Sequence, residues 1–555
     1  MIVSLFACNK DGGKDGNGGK DGNSSETGEN NGNGGNGGNG GEAEAINVIA
    51  WATHLTDKQI ANVKPKNISK NTVYDLYMMR GETEGCQLII YSDKDIKKGV
   101  MESELDKYED KNLTSEIFVM NRTHTIKGKK WTDSAVPYYG TKIAFDSRLV
   151  TPFIVEFTTT KYTPAGDYTY SYEFKNAANN KVLASFTVNV HVWDIVLPEE
   201  KTFATSAGIN GAQISRFDRG SEMYKKYYDM LLEHNVCGHV LPYDILDEKA
   251  EAYMSDPRVT SFVIGIWDAK LWDDEKLLKY YNRVKENPEW FKKAIFYVID
   301  EPTTEEALAN YRKYCDRFAK LCPGIGVIAP FYTNNQLDPN VQKDQVDAMA
   351  PSTILWCPKL CLWDDSESYD PFLNYTPEKS FAERMKEFQA EGDTVWAYVC
   401  NAPTSPYAQL FIDTDGIVQR LMMWQHYQRD IEGFLYWGVS TWGYDGKNVD
   451  PWDKPYTGVG DGKGNNVYGE GFLFYPGTPV GVPGPIATSR LKILRDGIDD
   501  IEMFYLAEKY LDKAWLDSKI NEATPSLTSY TSEENFYKIR KEIGDTLEAA
   551  LKNQK

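Results

Sequence analysis

The sequence offers little that could hold a metal ion or cross a bilayer. It contains only six histidines, and none of them has the spacing of a metal site. Its eight cysteines lack the paired spacing of a zinc site or of a compact disulfide framework. Beyond the first eight residues, no apolar stretch approaches the roughly 20 residues that a transmembrane helix needs. We therefore expect no metal, no cofactor and no membrane-spanning helix.

The 61 Lys and Arg residues are outnumbered by 81 Asp and Glu residues, and this imbalance restricts the possible partners. The formal net charge is -20, so neither nucleic acid nor an anionic membrane surface is favoured as a partner. The sequence has no Gly-x-Ser-x-Gly elbow of a serine hydrolase. Aromatic residues, in contrast, reach 13% of the chain, which suits sugar-stacking platforms as well as large aromatic cores. A neutral ligand fits this composition best.

The first 45 residues predict an anchor and a tether. Residues 1–8 end in Leu-Phe-Ala-Cys, which resembles the end of a bacterial lipoprotein signal, with Cys8 as the lipidated residue. Residues 9–45 consist almost wholly of Gly, Asn and charged or small polar residues, a composition that cannot bury enough apolar surface to order itself. We therefore expect a lipid-anchored protein of the bacterial outer membrane, exposed at the surface or, alternatively, periplasmic.

Two folded regions are expected after the tether. Residues 46–197 contain short alternating runs, such as 168–172 and 186–192, separated by turn-forming clusters, and this pattern predicts an antiparallel β-sandwich. From residue 198 to 555, apolar runs alternate with amphipathic helical stretches, which is typical of βα units around a parallel sheet. The predicted strands of this second region are 203–209, 236–242, 261–267, 294–299, 326–332, 354–358, 394–400 and 433–439.

Eight strands over this length predict a (β/α)₈ TIM barrel with additional C-terminal helices. The helices between the strands are expected at 215–234, 274–285, 304–321, 377–391 and 416–429, with a final one at 486–509. An open doubly wound sheet is the alternative, disfavoured because no Gly-rich phosphate loop follows any strand. The acids Asp499 and Asp500 lie with Arg490 and Arg495 on the final helix, where ion pairing is expected rather than catalysis.

Two adjacent carboxylates, Asp300 and Glu301, follow the fourth predicted strand and are the strongest candidates for catalysis. Pro302 ends further pairing and keeps Glu301 out of the helical region. Crowding two carboxyls in a partly apolar site raises the proton affinity of one of them, so that one can act as an acid while the other is ionised. Glycosidic cleavage needs this division of labour. The structural alternative is that Asp300 caps the helix beginning near Thr303.

Aromatic and polar residues in or just after the other strands are candidate substrate contacts. Each could instead pack in the upper layer of the barrel. The long segment 440–485 is also expected to border the site. The candidate contacts are Tyr332, Trp356, Tyr398, Trp437, Trp442, Trp267, Tyr243 and His239.

Four segments of the sequence resemble glycoside hydrolase family 123, the β-N-acetylgalactosaminidases. The Asp300-Glu301-Pro302 motif after an apolar strand is similar to that family's adjacent acidic pair. Segment 490–502 resembles its final helix, and segments 80–87 and 164–168 resemble its N-terminal sandwich. Together these similarities extend over nearly everything after the tether.

The resemblance implies a retaining, substrate-assisted mechanism in which the substrate's own 2-acetamido oxygen is the nucleophile. Asp300 would orient the acetamido nitrogen and stabilise an oxazolinium intermediate, whereas Glu301 would protonate the leaving oxygen and later activate water. The expected substrate is a glycan with terminal β-linked N-acetylgalactosamine or another N-acetylhexosamine. The alternatives are a glycosidase with a different sugar specificity and a non-catalytic glycan-binding lipoprotein.

Overall fold

The structure is a computed structural model that describes residues 46–64, 71–333, 344–364, 378–444 and 447–554. Residues 47–555 form one compact unit. Cys8 and the predicted tether 9–45 lie outside the described residues, so the lipid anchor and the surface location stay predictions. Among the described residues, no helix combines the length and apolarity that a membrane crossing requires.

The N-terminal part is built from two five-stranded sheets. One has the strand order β1-β3-β10-β5-β8 and is antiparallel throughout; the other has the order β2-β12-β11-β4-β9. The pairing of β12 with β2 is parallel, so this part is not purely antiparallel as the sequence predicted. The strands are β1 (Val48–His54), β2 (Val73–Arg80), β3 (Thr83–Ser92), β4 (Ile96–Ser103), β5 (Leu113–Val119), β6 (Thr123–Ile126), β7 (Lys129–Thr132), β8 (Val136–Pro137), β9 (Ile143–Phe145), β10 (Val150–Thr159), β11 (Gly166–Asn176) and β12 (Lys181–Val196).

Aromatic side chains fill the space between these two sheets. The alternation in β11 buries every second residue, as expected for a strand with one face towards a core. The Phe157 ring of β10 lies 4.9 Å from Tyr170 of β11, and Phe145 of β9 lies 6.0 Å from Phe153 of β10. The two sheets therefore pack face to face.

Parallel strands dominate the C-terminal part, and the strand ladders of the described residues do not by themselves close the eight-stranded barrel that the sequence predicts. A five-stranded parallel sheet has the order β13-β19-β18-β17-β16, and β14 pairs with β15. A short antiparallel pair, β20 and β21, precedes the long C-terminal helices. The strands are β13 (Ala204–Ala207), β14 (Phe262–Ile266), β15 (Ala294–Tyr297), β16 (Ala329–Phe331), β17 (Leu355–Pro358), β18 (Thr394–Tyr398), β19 (Gly433–Tyr436), β20 (Phe474–Pro476) and β21 (Pro485–Ala487).

The predicted second strand, 236–242, is the one that the structure lacks. Within it only Gly238 pairs, through an isolated parallel bridge to Ala207. Single bonds extend the contact, since the His239 amide donates to Ala207 and the Val263 amide donates to His239. One bridge is too short for a ladder of successive hydrogen bonds, which is why this segment is not a strand. The chain is thus a mixed α/β protein.

The helices lie mostly where the apolar periodicity predicted them. The predicted helix 215–234 begins only at Met223, and residues 486–487 of the predicted final helix belong to β21 instead. The helices are α1 (Gly211–Ile214), α2 (Met223–Glu233), α3 (Glu251–Met254), α4 (Asp274–Lys285), α5 (Pro288–Lys293), α6 (Glu305–Leu321), α7 (Gln345–Met349), α8 (Phe381–Glu391), α9 (Gly416–Gln428), α10 (Ser489–Ala507), α11 (Lys513–Ala523) and α12 (Glu533–Lys552).

The two faces of the parallel strands have different surroundings. One face packs against helices; for example, Phe296 of β15 stacks on Phe318 of α6 with ring centroids 4.5 Å apart. The opposite face forms a second buried cluster, in which Tyr297 and Tyr398 are the members nearest the strand ends. This second face positions the candidate site. Its members are Val263, Ile295, Tyr297, Ile328, Leu355, Cys357, Trp396, Tyr398 and Leu435.

A buried network of ion pairs joins the N-terminal sheets to helices α9, α10 and α12. Arg420 of α9 contacts Glu84 of β3 at 2.8 Å, and Arg540 of α12 contacts Glu82 at the β2–β3 turn. Asp500 of α10 accepts from both arginines, at 2.8 and 2.6 Å.

The same interface continues along α10 towards its N-terminus. Glu156 of β10 contacts both Lys492 and Arg495, at 2.6 and 2.8 Å, and Asp133 contacts Arg490 at 2.7 Å. The charged residues of α10, which the sequence predicted as the final helix, therefore form ion pairs, as predicted. Many of their partners lie on other elements.

Candidate active site

The acidic pair lies just beyond the end of β15. That strand ends at Tyr297, and the chain then runs through Val298 and Ile299 to Asp300 and Glu301. The cap of the following helix α6 is Thr304, whose hydroxyl accepts from the Ala307 amide at 3.2 Å. Because Thr304 supplies the cap, Asp300 is not used for capping, and this removes the structural alternative for Asp300.

Asp300 combines access to solvent with a proton affinity shifted towards neutral pH. The Tyr297 hydroxyl donates to its Oδ1 atom at 3.0 Å. Desolvation by the surrounding protein, followed by the charge of Glu301, raises the pKa of Asp300 to about 7, and the hydrogen bond from Tyr297 opposes this rise. The residue nevertheless retains exposed surface. Asp300 can therefore both reach a ligand and change its protonation near neutral pH.

Glu301 is held by an unusual backbone conformation and by a tyrosine from a distant strand. Its φ of +42° lies in the left-handed region, which costs a non-glycine residue about 1–3 kcal/mol. The Tyr398 hydroxyl, at the end of β18, donates to Glu301 Oε1. Each of the two carboxyls thus has its own tyrosine donor, although the two acids are adjacent in sequence. Burial raises the pKa of both Tyr297 and Tyr398 well above its ordinary value, so both hydroxyls stay protonated and can donate.

Two of the predicted contact residues surround Tyr297. The Trp267 ring lies 4.7 Å from the Tyr297 ring, and Trp267 itself has a φ of +58° where β14 ends. His239 meets Tyr297 edge-on at 5.5 Å, while its Nδ1 atom lies 2.8 Å from the Ser206 hydroxyl. Burial lowers the pKa of His239 to about 3. His239 is therefore a neutral packing partner of the tyrosine that serves Asp300.

A lysine and two tyrosines line the β16–β18 side of the site. Lys359 follows β17 directly, and its Nζ atom lies 5.2 Å from the Tyr332 ring centroid and 5.6 Å from that of Tyr398. Tyr332, at the end of β16, has 40% of its surface exposed. Tyr332 and Tyr398 are thus brought to one place by the ends of neighbouring strands, with an ammonium group between them.

Trp437 lies after β19 beside a buried carboxyl. Its indole Nε1 donates to Glu470 Oε1, and the Tyr436 hydroxyl donates to the other oxygen of Glu470 at 3.2 Å. Burial raises the pKa of Glu470 to about 7, and the two hydrogen bonds oppose the rise. Glu470 has no exposed surface, so it orients Trp437 rather than offering itself to a ligand.

Three predicted contact residues are not brought to the acidic pair. Trp356 stacks on Phe388 at 4.6 Å and donates to Asp393, on the helix-facing side of β17. Trp442 is fully buried and donates to the Phe474 carbonyl oxygen. Tyr243 lies 6.1 Å from the Tyr253 ring of α3. All three have aromatic or backbone packing partners outside the cluster around Tyr297 and Tyr398.

Sequence reasoning missed three residues of this region: Tyr297, Lys359 and Glu470. Tyr297 and Lys359 could have been found from their place at strand ends, which is where barrel-type enzymes collect functional groups. Glu470 carries no such signal, since it lies in the long segment 440–485. Among the described residues, no cluster of His, Cys, Asp or Glu has the arrangement of a metal site. The arrangement suits proton transfer by two carboxyls beside aromatic surfaces.

Comparisons with known proteins agree with this chemistry. Residues 268–507 match the model of the glycoside hydrolase 123 catalytic domain. The protein is therefore a glycoside hydrolase by class, acting on glycans. Its catalytic domain is that of family 123, which confirms the resemblance seen in the sequence.

One solved structure extends the likeness in fold beyond the catalytic domain. A family 123 glycoside hydrolase from Clostridium perfringens, studied for glycolipid glycan hydrolysis, matches with 12% identity and a TM-score of 0.60, over 91% of this chain and 98% of that one. This match shows that the overall fold is shared. A family 39 glycoside hydrolase from Bacteroides cellulosilyticus aligns with 10% identity and a TM-score of 0.33, over 77% of this chain and 82% of the other. No curated protein sequence matches the chain.

Proposed function

We propose that this protein is a retaining glycoside hydrolase that releases terminal β-linked N-acetylgalactosamine, or another N-acetylhexosamine. Catalysis is substrate-assisted and passes through an oxazolinium intermediate. The observation that carries the proposal is that two adjacent carboxyls, Asp300 and Glu301, have separate tyrosine donors from different strands. Such a pair can divide its roles, because one acid can take a proton while its neighbour remains ionised.

In the first step the acetamido carbonyl oxygen of the substrate attacks the anomeric carbon, and the glycosidic bond breaks. When the acetamido N–H binds the Asp300 carboxylate, the proton that the pair holds near neutral pH resides on Glu301, which gives it to the leaving oxygen. Asp300 accepts a hydrogen bond from the acetamido N–H, which increases the electron density on the attacking oxygen and stabilises the oxazolinium cation. In the second step Glu301 removes a proton from water, which attacks the anomeric carbon, reopens the ring and restores the acetamido group.

The proposal includes a closed (β/α)₈ barrel around the site. Its support is the set of contacts that link the two parallel sheets: a bridge joins Phe296 to Val327, and Gly238 bridges to Ala207 on the other side. With these links, eight segments follow one another around a ring, and the acidic pair stands at the carboxyl ends of its strands, where active sites of such barrels lie. An experimental structure in which segment 236–242 leaves the ring would contradict this part of the proposal.

Hydrolysis of aryl glycosides tests the chemistry. We expect the wild type to cleave an aryl β-N-acetylgalactosaminide and to leave the matching β-galactoside, which lacks the internal nucleophile, untouched. Asp300→Asn and Glu301→Gln should each lower kcat/KM by roughly 10²–10⁴-fold. The exposed acid Glu306 of α6 supplies the control, and Glu306→Gln should retain full activity.

Two leaving groups separate the roles of the two acids. Loss of a general acid matters less when the leaving phenol is acidic, so the defect of Glu301→Gln should shrink on a dinitrophenyl glycoside. The defect of Asp300→Asn should be similar for both leaving groups, because Asp300 acts on the nucleophile. Efficient cleavage of glycosides without the 2-acetamido group would refute substrate assistance, and a folded wild type inactive on all 2-acetamido glycosides would refute the specificity.

A further inference from the structure

Lys359 differs from the other enclosed lysines of the structure. Only 8% of its surface is exposed. Lys58 donates to three backbone carbonyl oxygens, Lys492 pairs with Glu156, and Lys201 pairs with Asp499 at 3.0 Å. Within the described part of the chain, the Lys359 ammonium finds no hydrogen-bond acceptor and no carboxylate within ion-pair distance; its close neighbours are the ring faces of Tyr332 and Tyr398.

The position of this ammonium is fixed by the fold. The Lys359 amide donates to the Phe331 carbonyl oxygen at 2.9 Å, and Lys359 also forms a parallel bridge with Tyr398. The side chain thus leaves the backbone between the ends of β16 and β18. Tyr398 binds Glu301, so the ammonium stands beside the tyrosine that serves the acidic pair.

The Lys359 side chain is largely enclosed, although its ammonium still reaches solvent, and the cation–π contacts replace only part of the hydration of that ammonium. A ligand that enters the site can therefore offer an acceptor oxygen to this ammonium in place of water. The surroundings decide its charge: Asp300, Glu301 and Glu470 all lie in this region, and the positive charge of Lys359 acts on Glu470. An anionic substituent would be repelled by these carboxyls, whereas a neutral oxygen would not.

We propose that Lys359 is a specificity-determining residue that donates a hydrogen bond to a neutral hydroxyl oxygen of the substrate sugar. The proposal rests on the proposed function only in using the same site. Lys359 binds one particular hydroxyl of the sugar ring. Asp300 acts at the acetamido group, and Glu301 acts at the glycosidic oxygen. The ring faces of Tyr332 and Tyr398 hold the ammonium in place before the sugar arrives.

The kinetic test pairs Lys359→Met with deoxy sugars. Aryl N-acetylgalactosaminides lacking the 3-, 4- or 6-hydroxyl are compared with the parent compound in both proteins. A hydrogen bond from a charged donor corresponds to roughly 10- to 100-fold in kcat/KM. We expect the wild type to lose this factor with one deoxy sugar, and Lys359→Met to show no such loss with that sugar. Penalties that remain unchanged in the variant would overturn the proposal.

A matched control comes from the outer surface. Lys285 is exposed, and its ammonium lies 5.0 Å from the Tyr281 ring, so Lys285→Met removes a comparable cation–π contact. This variant should keep every deoxy penalty of the wild type. Thermal melts of both variants establish that Lys359→Met is folded.

A second measurement uses the wild type and needs no turnover. Reductive methylation of lysines is followed by mass spectrometry with and without free N-acetylgalactosamine, N-acetylglucosamine, galactose or their sulfated forms. We expect a neutral sugar to slow methylation of Lys359 several-fold and to leave Lys285 unchanged. Protection by a neutral sugar in an enzyme that cleaves no 2-acetamido glycoside would refute the proposed function alone. Protection by sulfated sugars only, or by none of the sugars, would overturn the assignment of Lys359.

Discussion

At the scale of single residues, protonation in the site depends on which hydroxyl serves which acid. Tyr297 donates to Asp300, and Tyr398 donates to Glu301. A hydrogen bond to a carboxylate favours its ionised form, whereas burial and a neighbouring negative charge oppose it. For Asp300, burial and the charge of Glu301 outweigh the hydrogen bond from Tyr297, so the pKa of Asp300 rises to about 7.

The balance at Asp300 can be shifted in both directions. Glu301→Gln removes a negative charge and should lower the pKa of Asp300 below about 7. Tyr297→Phe removes the hydrogen bond that stabilises the carboxylate and should raise that pKa. Titration of the ¹³C-labelled Asp carboxyls by NMR, with Asp300→Asn to assign the signal, measures both shifts. Shifts of equal sign in the two variants would contradict the assigned contacts.

Some residues of the site could be predicted from the sequence and others could not. Asp300 and Glu301 stand out because a charged pair interrupts an apolar strand. The orientation of Trp356 could not be read, since all four residues of β17 are buried. Strands covered on both faces read as continuous apolar runs, so the sequence does not tell which side chains point towards the site. Glu470 contacts Trp437 only because the long loop between them folds back, and no local sequence pattern indicates this contact.

At the scale of elements, close helix contacts explain residues that propensity alone would not choose. Gly497 lies within α10, although glycine is unfavourable in a helix by about 1 kcal/mol relative to alanine. A Cβ atom at this position would lie 2.9 Å from the Arg420 carbonyl oxygen and 2.9 Å from Met423 of α9. The glycine therefore permits α9 and α10 to approach each other.

Gly497→Ala tests this contact. Helix propensity alone predicts a gain in stability, whereas overpacking against a backbone atom of α9 typically costs about 1–3 kcal/mol. We expect a net loss, seen as a lower midpoint of chemical unfolding. Ser518→Ala at an exposed position of α11 is the control and should leave the midpoint nearly unchanged. A midpoint raised by Gly497→Ala would show that the helices can move apart without cost.

The predicted strands are present in most places where the apolar pattern is regular. The prediction failed for the segment whose hydrogen-bond pairing depends on its neighbours in the fold. Seven of the eight predicted parallel strands are present, with shorter bounds. The apolar run 236–242 has the composition of a strand, yet only one of its residues forms a bridge. Hydrogen-bond pairing depends on both neighbours, and this information is absent from the run itself.

At the scale of the whole molecule, a buried charged interface makes stability depend on pH. Burial raises the pKa of Glu82 to about 8, against the opposing charge of Arg540. A carboxyl whose pKa is raised in the folded state contributes stability below its ordinary pKa and loses it as pH rises through the folded value. For Glu82 the window of loss extends from about 4.5 to about 8.

Arg540→Met should therefore be more harmful at high pH. Breaking a buried pair typically costs about 3–5 kcal/mol, and the cost should be smaller at pH 6, where Glu82 can keep a proton, than at pH 8. Thermal melts at the two pH values measure the difference. Arg283→Met, which removes surface pairs with Glu251 and Glu286, should change stability by less than about 1 kcal/mol. Equal losses for Arg540→Met at both pH values would contradict the role of Glu82.

Three buried acids of the N-terminal part also limit which gene segments related proteins can exchange. They are Glu84 of β3, Glu156 of β10 and Asp133, which lies between β7 and β8. The family 123 match begins at residue 268, yet four cations of α9 and α10 within it find their carboxylates on the N-terminal sheets: Arg420, Arg490, Lys492 and Arg495. A catalytic region fused to a foreign N-terminal half would bury Arg490 and Lys492 without counterions, and it would leave Arg420 and Arg495 with only their partners on α10, Asp500 and Asp496. Shuffling among relatives is therefore confined to halves whose acidic positions match, and the two halves are expected to have been inherited together.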